Sequence, residues 1–206
     1  MPDFGIYTRL RYFCQNEKKL VMIIRKATIK DSNDIATYLL LAMEDIVYKF
    51  IGEENHNKAK EFLLHFIEKE NNQYSYQNCF VVEDDNEIIA AVNIYDGAKL
   101  HLLREPIAQY VRTHYNKQFN PEDETQKGEF YIDTLGVNPK CQGKGIGSKL
   151  LQFLIDEYVT KKQKTLGLLV DEGNPNAKKL YLKLGFKPVG NKTLVGKTLE
   201  HLQIKA

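Results

Sequence analysis

Apolar residues recur along this chain at helical spacing in some stretches and as short strand-like runs in others, and each change marks an element. Ile23 to Ala27 is a short β-rich run, and Asp31-Ser32-Asn33-Asp34 after it supplies helix N-caps. Ile35, Leu39, Ala42, Ile46 and Phe50 follow at helical spacing, which predicts one buried face. Beyond Gly52 a second helix is predicted from about His56 to Lys69, with Ala59, Phe62, Leu63, Phe66 and Ile67 inward. Cys79 to Glu83 and Ile88 to Tyr95 flank the polar turn Asp84-Asp85-Asn86-Glu87 and read as an antiparallel hairpin. Leu100, Leu103, Ile107 and Val111 point to a helix within Gly97 to Tyr115, although Pro106 is tolerable only in a first turn. Asn116 to Gly128 is polar, carries Pro121-Glu122-Asp123-Glu124, and reads as a mobile loop, either a substrate-binding lid or a solvated connection.

The second half is more regular. Phe130 to Val137 is the central strand, and strand alternation assigns Glu129, Tyr131, Asp133 and Leu135 to one face. Ile146, Leu150, Leu154 and Tyr158 line one side of the next helix, widened by Leu151 and Ile155. Thr165 to Val170 is a buried strand, Asn176 to Leu184 a helix with Gly185 as its stop, and Phe186 to Gly190 and Leu199 to Lys205 are closing strands. This order predicts an α/β (α+β) domain: one mixed, mostly antiparallel sheet with helices on both faces, over residues 22–206.

Between the central strand and its helix lies Gln142-Gly143-Lys144-Gly145-Ile146-Gly147. Closely spaced glycines let a backbone approach a ligand, and the helix start behind them presents unpaired N–H groups and a positive dipole end to phosphate. A Walker A loop fails on spacing, because Asn138 stands five residues before Gly143 and Gly145 follows Lys144. A dinucleotide fingerprint fails as well, since the glycines run G-x-G-x-G. The pattern that fits is Gln/Arg-x-x-Gly-x-Gly/Ala. With Leu135-Gly136-Val137-Asn138-Pro139 before it, and Asn174-Pro175-Asn176-Ala177 and Leu180 to Phe186 after it, the stretch 130–190 resembles the acetyl-CoA-binding half of the GNAT superfamily of N-acetyltransferases.

That resemblance implies a chemistry. Acetyl-CoA would be the co-substrate, held by backbone N–H groups from Gln142, Gly143, Lys144, Gly145, Ile146 and Gly147 at its diphosphate, with Asn174 on its arm. In the family the central strand splays from its neighbour, and the N–H groups so freed belong here to Leu135 and Val137. Tyr181 occupies the place where the family often has a tyrosine that protonates the departing thiolate. Freeing the electron pair of a lysine-like amine at pH 7 costs about 4–5 kcal/mol, so a general base is expected. Tyr131 stands where some relatives carry a glutamate base, which leaves the carboxylates Asp133, Glu44, Glu129 and Asp45, with Asp133 and Glu44 foremost. Cys141 has no histidine near it in sequence, so the expected reaction is direct attack by a primary amine of a small molecule, protein N-terminus or lysine. The alternative is a catalytically silent CoA-binding regulatory module.

Composition narrows the partners. A formal net charge of +2 over 206 residues gives no electrostatic case for nucleic acid or a membrane surface, and no apolar run approaches a membrane span. Three scattered cysteines suit a reducing cytoplasm, and five histidines without ligand spacing leave no metal site. Met1 to Val21 lacks the apolar core of a secretory signal and reads as an extension of uncertain status, since Met22 opens what resembles the family's first strand. Dimers are common among the resembling proteins, and a homodimer is the corresponding expectation.

Overall fold

Short β-branched runs became strands and the longer amphipathic stretches became helices in the structure, a computed structural model that describes residues 8–11 and 21–206. β1 (Thr8–Arg11) and β2 (Val21–Lys26) form an antiparallel pair, and the rest of the N-terminal extension, residues 1–7 and 12–20, lies outside the described residues. Then come α1 (Ser32–Ile51), α2 (His56–Ile67), the hairpin β3 (Cys79–Asp84) and β4 (Glu87–Asp96), and α3 (Leu100–His114). The second half holds β5 (Glu129–Val137), α4 (Ile146–Leu154, prolonged by a wider turn over Ile155–Lys161), β6 (Thr165–Val170), α5 (Pro175–Lys183), β7 (Lys187–Leu194) and β8 (Lys197–Ile204).

The strands make one mixed sheet in the order β1-β2-β3-β4-β5-β6-β8-β7, with β5 and β6 as its parallel pair. On one face Ile132, Leu150, Leu154, Leu166 and Phe186 pack beneath α4 and α5. On the other, Ile35, Leu39, Val47, Phe62 and Ile107 pack among α1, α2 and α3. No described helix is long and apolar enough to cross a membrane.

Four departures from the sequence pattern shape the centre of the molecule. The first is in α1, which breaks at Met43 (φ −132°, ψ 20°). The break moves the buried stripe onto Met43, Val47 and Phe50, so Ala42 is exposed and Ile46 only half-buried. Both then face the cleft described below. The second is Pro106, which sits well inside α3 rather than in its first turn. Its missing N–H would have bonded the carbonyl of Leu102, whose residue is 72% exposed and open to water. The backbone N–H of Gln73 donates to the next carbonyl, Leu103 O, at 2.8 Å.

The third departure is a bulge in β5. Asn93 pairs with Thr134 and Ile94 with Ile132, so Asp133 is the extra residue. Alternation therefore reverses there: Tyr131 packs toward α3, while Leu135 and Val137 turn to the α4 side instead of sharing the face of Glu129 and Asp133. The fourth is the segment 116–128. It carries no regular structure, but Glu124 and Thr125 are buried at 3% and 2% exposure. It is a largely solvated connection pinned at Glu124 and Thr125.

Candidate active site

Parallel pairing of β5 with β6 ends at Ile132 and Leu168, although both strands continue. From Asp133 to Val137 the edge of β5 that faces β6 therefore has no strand beside it. A cleft of about 440 Å³ opens there. Its walls come from the kinked part of α1, the segment 116–128, the end of β6, α5 and the turn between β7 and β8. That turn, Val195-Gly196, has φ of 50° and 78°. It is clasped from both sides: Lys49 Nζ donates to Val195 O at 2.9 Å, and the Val195 N–H donates to Glu122 Oε2 at 3.0 Å.

Seven of the residues singled out from the sequence, Glu44, Asp45, Tyr131, Asp133, Leu135, Asn174 and Tyr181, line this cleft. The glycine run lies beyond its end and is reached along β5. Asn138 starts a short turn by accepting from Lys140 N at 3.0 Å, and Gln142, Gly143, Lys144 and Gly145 are exposed. Gly143 and Gly145 hold φ of 77° and 75°, where a side chain would be strained, and open space surrounds the position a Cβ would take at either. Gly145 then caps α4, whose first N–H groups have no intrahelical partner. Ile146 is a buried core anchor rather than a contact surface. A Cβ on Gly147 would touch Leu135 Cδ2 and Val137 Cγ2, each at 3.8 Å. Leu135 is thus the join between cleft and loop. An open loop of N–H groups at a helix start, continuous with an unpaired strand edge, fits a diphosphate that carries an extended acyl arm.

The titratable groups differ sharply in setting. Burial pushes the Asp133 carboxyl well above the usual range, the charge of Glu124 adds to this, and Gln73 and Arg104 pull the other way. Glu44, by contrast, lies at the mouth. His56 Nδ1 sits 2.6 Å from its Oε1, and hydrogen bonds from His56 and then Tyr48 hold the carboxyl below its ordinary value. Tyr181 is half-buried, its ring edge-on to Phe186 at 6.0 Å, and burial raises its phenol. The Asn174 side chain caps α5 by accepting from Ala177 N at 3.1 Å, which leaves its amide hydrogens free to donate elsewhere.

The other carboxylates have other places. Glu129 is buried beneath the cleft and accepts from Thr125 (2.7 Å), Gln203 (2.7 Å) and His201 (2.9 Å). Asp45 is 80% exposed at the mouth, 3.9 Å from Lys197. Sequence reasoning missed the buried group around Asp133. Gln73 Nε2 donates to Glu124 Oε1 at 2.7 Å, Tyr95 Oη donates to the same oxygen at 2.9 Å, and Arg104 Nη2 pairs with Glu124 Oε2. The acidic run around Glu124 was a visible signal, but nothing local marked Gln73 or Arg104. Among the described residues no group of three or more His, Cys, Asp or Glu side chains could hold a metal ion.

Comparison with known proteins gives this geometry its class. The model of the acetyltransferase (GNAT) family matches residues 40–186, and the chain belongs to that family. It is similar to the [Ribosomal protein bS18]-alanine N-acetyltransferase of Haemophilus ducreyi, with 32% identity over half of this chain and 74% of that one. It also matches the spermine/spermidine N(1)-acetyltransferase of Bacillus subtilis at 31% identity, over 32% of this chain but only 44% of that protein. A crystal structure described as an acetyltransferase superposes with a TM-score of 0.72 at 31% identity, covering 88% of this chain and 98% of the other. The protein is an N-acetyltransferase, of a family that uses acetyl-CoA. The silent-module alternative draws no support from these relatives, each named as an acetyltransferase.

Proposed function

We propose that this enzyme transfers an acetyl group directly to the primary amine of a cationic acceptor, with Asp133 taking the amine proton and Tyr181 returning a proton to the leaving group. The observation that carries the reading is the shared cleft: Asp133, Tyr181 and the unpaired edge of β5 meet in one cavity that runs on toward the glycine loop. Bound acetyl-CoA supplies an activated thioester carbonyl. The N–H groups of the loop from Gln142 to Gly147 hold its diphosphate, and those of Leu135 and Val137 hold its arm and acyl oxygen. A donor placed at developing negative charge contributes about 3–4 kcal/mol.

Asp133 suits the base role better than Glu44. An ordinary aspartate is a weak acceptor for the proton of an alkylammonium, and the raised affinity of Asp133 narrows that gap. Glu44 is shifted the wrong way and already engaged by His56. Tyr181 stays protonated through the neutral range, so its phenol can donate to a thiolate of similar basicity.

The acceptor reading rests on charge. Four carboxylates besides Asp133 (Glu44, Asp45, Glu124, Asp171) line the cleft against three cations, and each cation already has a partner in the protein. This favours an acceptor whose amine arrives as an ammonium, such as a polyamine or a protein N-terminus. Asp133→Asn, assayed by thiol release over a panel of amines, is expected to lower kcat about 100- to 10,000-fold. Activity within threefold of wild type on the best amine would overturn the assignment.

A further inference from the structure

At the bulge, Asp133 shares an amide partner with a second carboxylate, Glu124. Gln73 Nε2, which donates to Glu124 Oε1 at 2.7 Å, lies 3.5 Å from Asp133 Oδ2, so one amide group spans both acids. Gln73 is itself immobilised: its N–H donates to Leu103 O, and its carbonyl accepts from Asn93 Nδ2 at 3.1 Å. Glu124 is held from the far side by Arg104, whose Nη1 also donates to Asp123 Oδ1 (3.0 Å) and Pro121 O (3.2 Å). The side chains of Glu124 and Arg104 are only 4% and 9% exposed, so solvent screens neither.

Other groups face Asp133 from every wall. Glu44, Asp45 and Lys49 come from α1, Asp171 from the end of β6, Lys197 from β8 and Tyr181 from α5. Tyr74 and Tyr131 line the cleft, Tyr95 bonds Glu124, and all three are buried. Glu44, Asp45, Lys49, Asp171 and Lys197 are open to solvent and screened, and the tyrosines carry no charge in the neutral range. Glu124 and Arg104 are the charges that remain.

We propose that Glu124 is a positioning residue that governs when Asp133 holds its proton, acting through Gln73 and by its own charge, with Arg104 as the counterweight. The inference builds on Asp133 as the proton acceptor. A second buried anion strengthens the hold of Asp133 on a proton, and Arg104 keeps that effect short of locking the proton in place. The segment 116–128 is then part of the acid–base machinery, because it is what brings Glu124 to β5.

The test uses the full chain with carbon-13-labelled aspartate carboxyls, the Asp133 signal being assigned by its loss in Asp133→Asn. Two readouts are followed, the NMR titration of that carboxyl and the acidic limb of kcat/KM against pH. In Glu124→Gln both are expected to move down by about one to two pH units. In Arg104→Met both are expected to move up. Packing damage alone would lower kcat in both variants but could not shift the two midpoints in opposite directions, and Arg104→Met carries the test by itself where Glu124→Gln fails to fold. An Asp133 midpoint unchanged within about 0.3 unit in both variants would overturn the proposal. If the NMR midpoint moves as expected while the kinetic limb stays, the tuning by Glu124 stands and the assignment of Asp133 as base falls.

Discussion

Gly136→Ala should damage this enzyme more than its small size suggests. Gly136 pairs with Ala91 across β4 and β5, and the backbone of α1 crosses directly over it. A Cβ built there would lie 1.8 Å from the carbonyl oxygen of Tyr38 and 2.5 Å from its carbon. Relief requires α1 and β5 to separate by about 1.2 Å, since a Cβ is not found within 3.0 Å of such atoms. The helix resists that movement. Tyr38 Oη donates to Ile88 O at 2.6 Å and lies 3.4 Å from Asn138 Nδ2, which ties α1 to both strands. Overpacking a core costs about 1–3 kcal/mol, and a clash with the backbone of a packed helix belongs at the upper end. For a chain of this size about 3 kcal/mol lowers Tm by roughly 6–12 °C. The same displacement carries Leu41 to Ile46 away from the cleft, so KM for the amine should rise with it. Calorimetric melts and acceptor kinetics check both effects. A Tm within about 2 °C of wild type would refute the reasoning.

The remaining expectations concern separate sites. Gly147→Ala meets only ordinary contacts and improves helix propensity by up to about 1 kcal/mol, so Tm should hold or rise. Its methyl group would nevertheless narrow the passage between loop and strand, and binding of acetyl-CoA is expected to weaken about tenfold, or about 1.4 kcal/mol. Tyr181→Phe should lower kcat about 100-fold while changing Tm and the acetyl-CoA KM little, because the shift of its phenol traces to burial alone, with no protein hydrogen bond contributing. Asp31→Asn tests the clamp beneath α1, where both carboxylate oxygens accept from Arg25 at 2.8 Å. Burial pushes Asp31 up, but the bonds from Arg25 and Thr28 outweigh it and hold the carboxyl below its ordinary value. Its contribution is therefore full above the unfolded value of about 3.9 and is lost as pH falls through the depressed folded value. The variant should be less stable by about 1–2 kcal/mol at pH 7, and denaturant melts should show the two proteins converging in acid.

The sequence was most legible where local chemistry alone decides the structure. The turn at Asp85-Asn86 with its positive φ values, the αL glycine that caps α4, and the inward stripe of α2 each follow from residues within one or two turns. The cleft was less legible because tertiary contacts shaped it. The break at Met43 turns residues of the apolar stripe toward the cavity, and no proline or glycine announces it. One extra residue at Asp133 reverses the alternation of β5, and a bulge leaves no mark in an apolar pattern. The segment 116–128 reads as polar and mobile, yet Thr125 on Glu129 and Glu124 on Arg104 fix it to the sheet and to α3. Those partners lie outside any local window of sequence, which is why Glu124 emerged only from the fold.

Calorimetric titration of acetyl-CoA into the wild type and into Gly145→Glu tests the central claim most directly. At Gly145, φ is 75° and open space surrounds the loop, so a glutamate strains the turn and sets a negative charge at the start of α4. One-to-one binding in the micromolar range is expected for the wild type, with loss of at least about tenfold in affinity for a variant whose circular dichroism is unchanged. An absence of binding to the wild type, or equal binding to both proteins, would contradict the account.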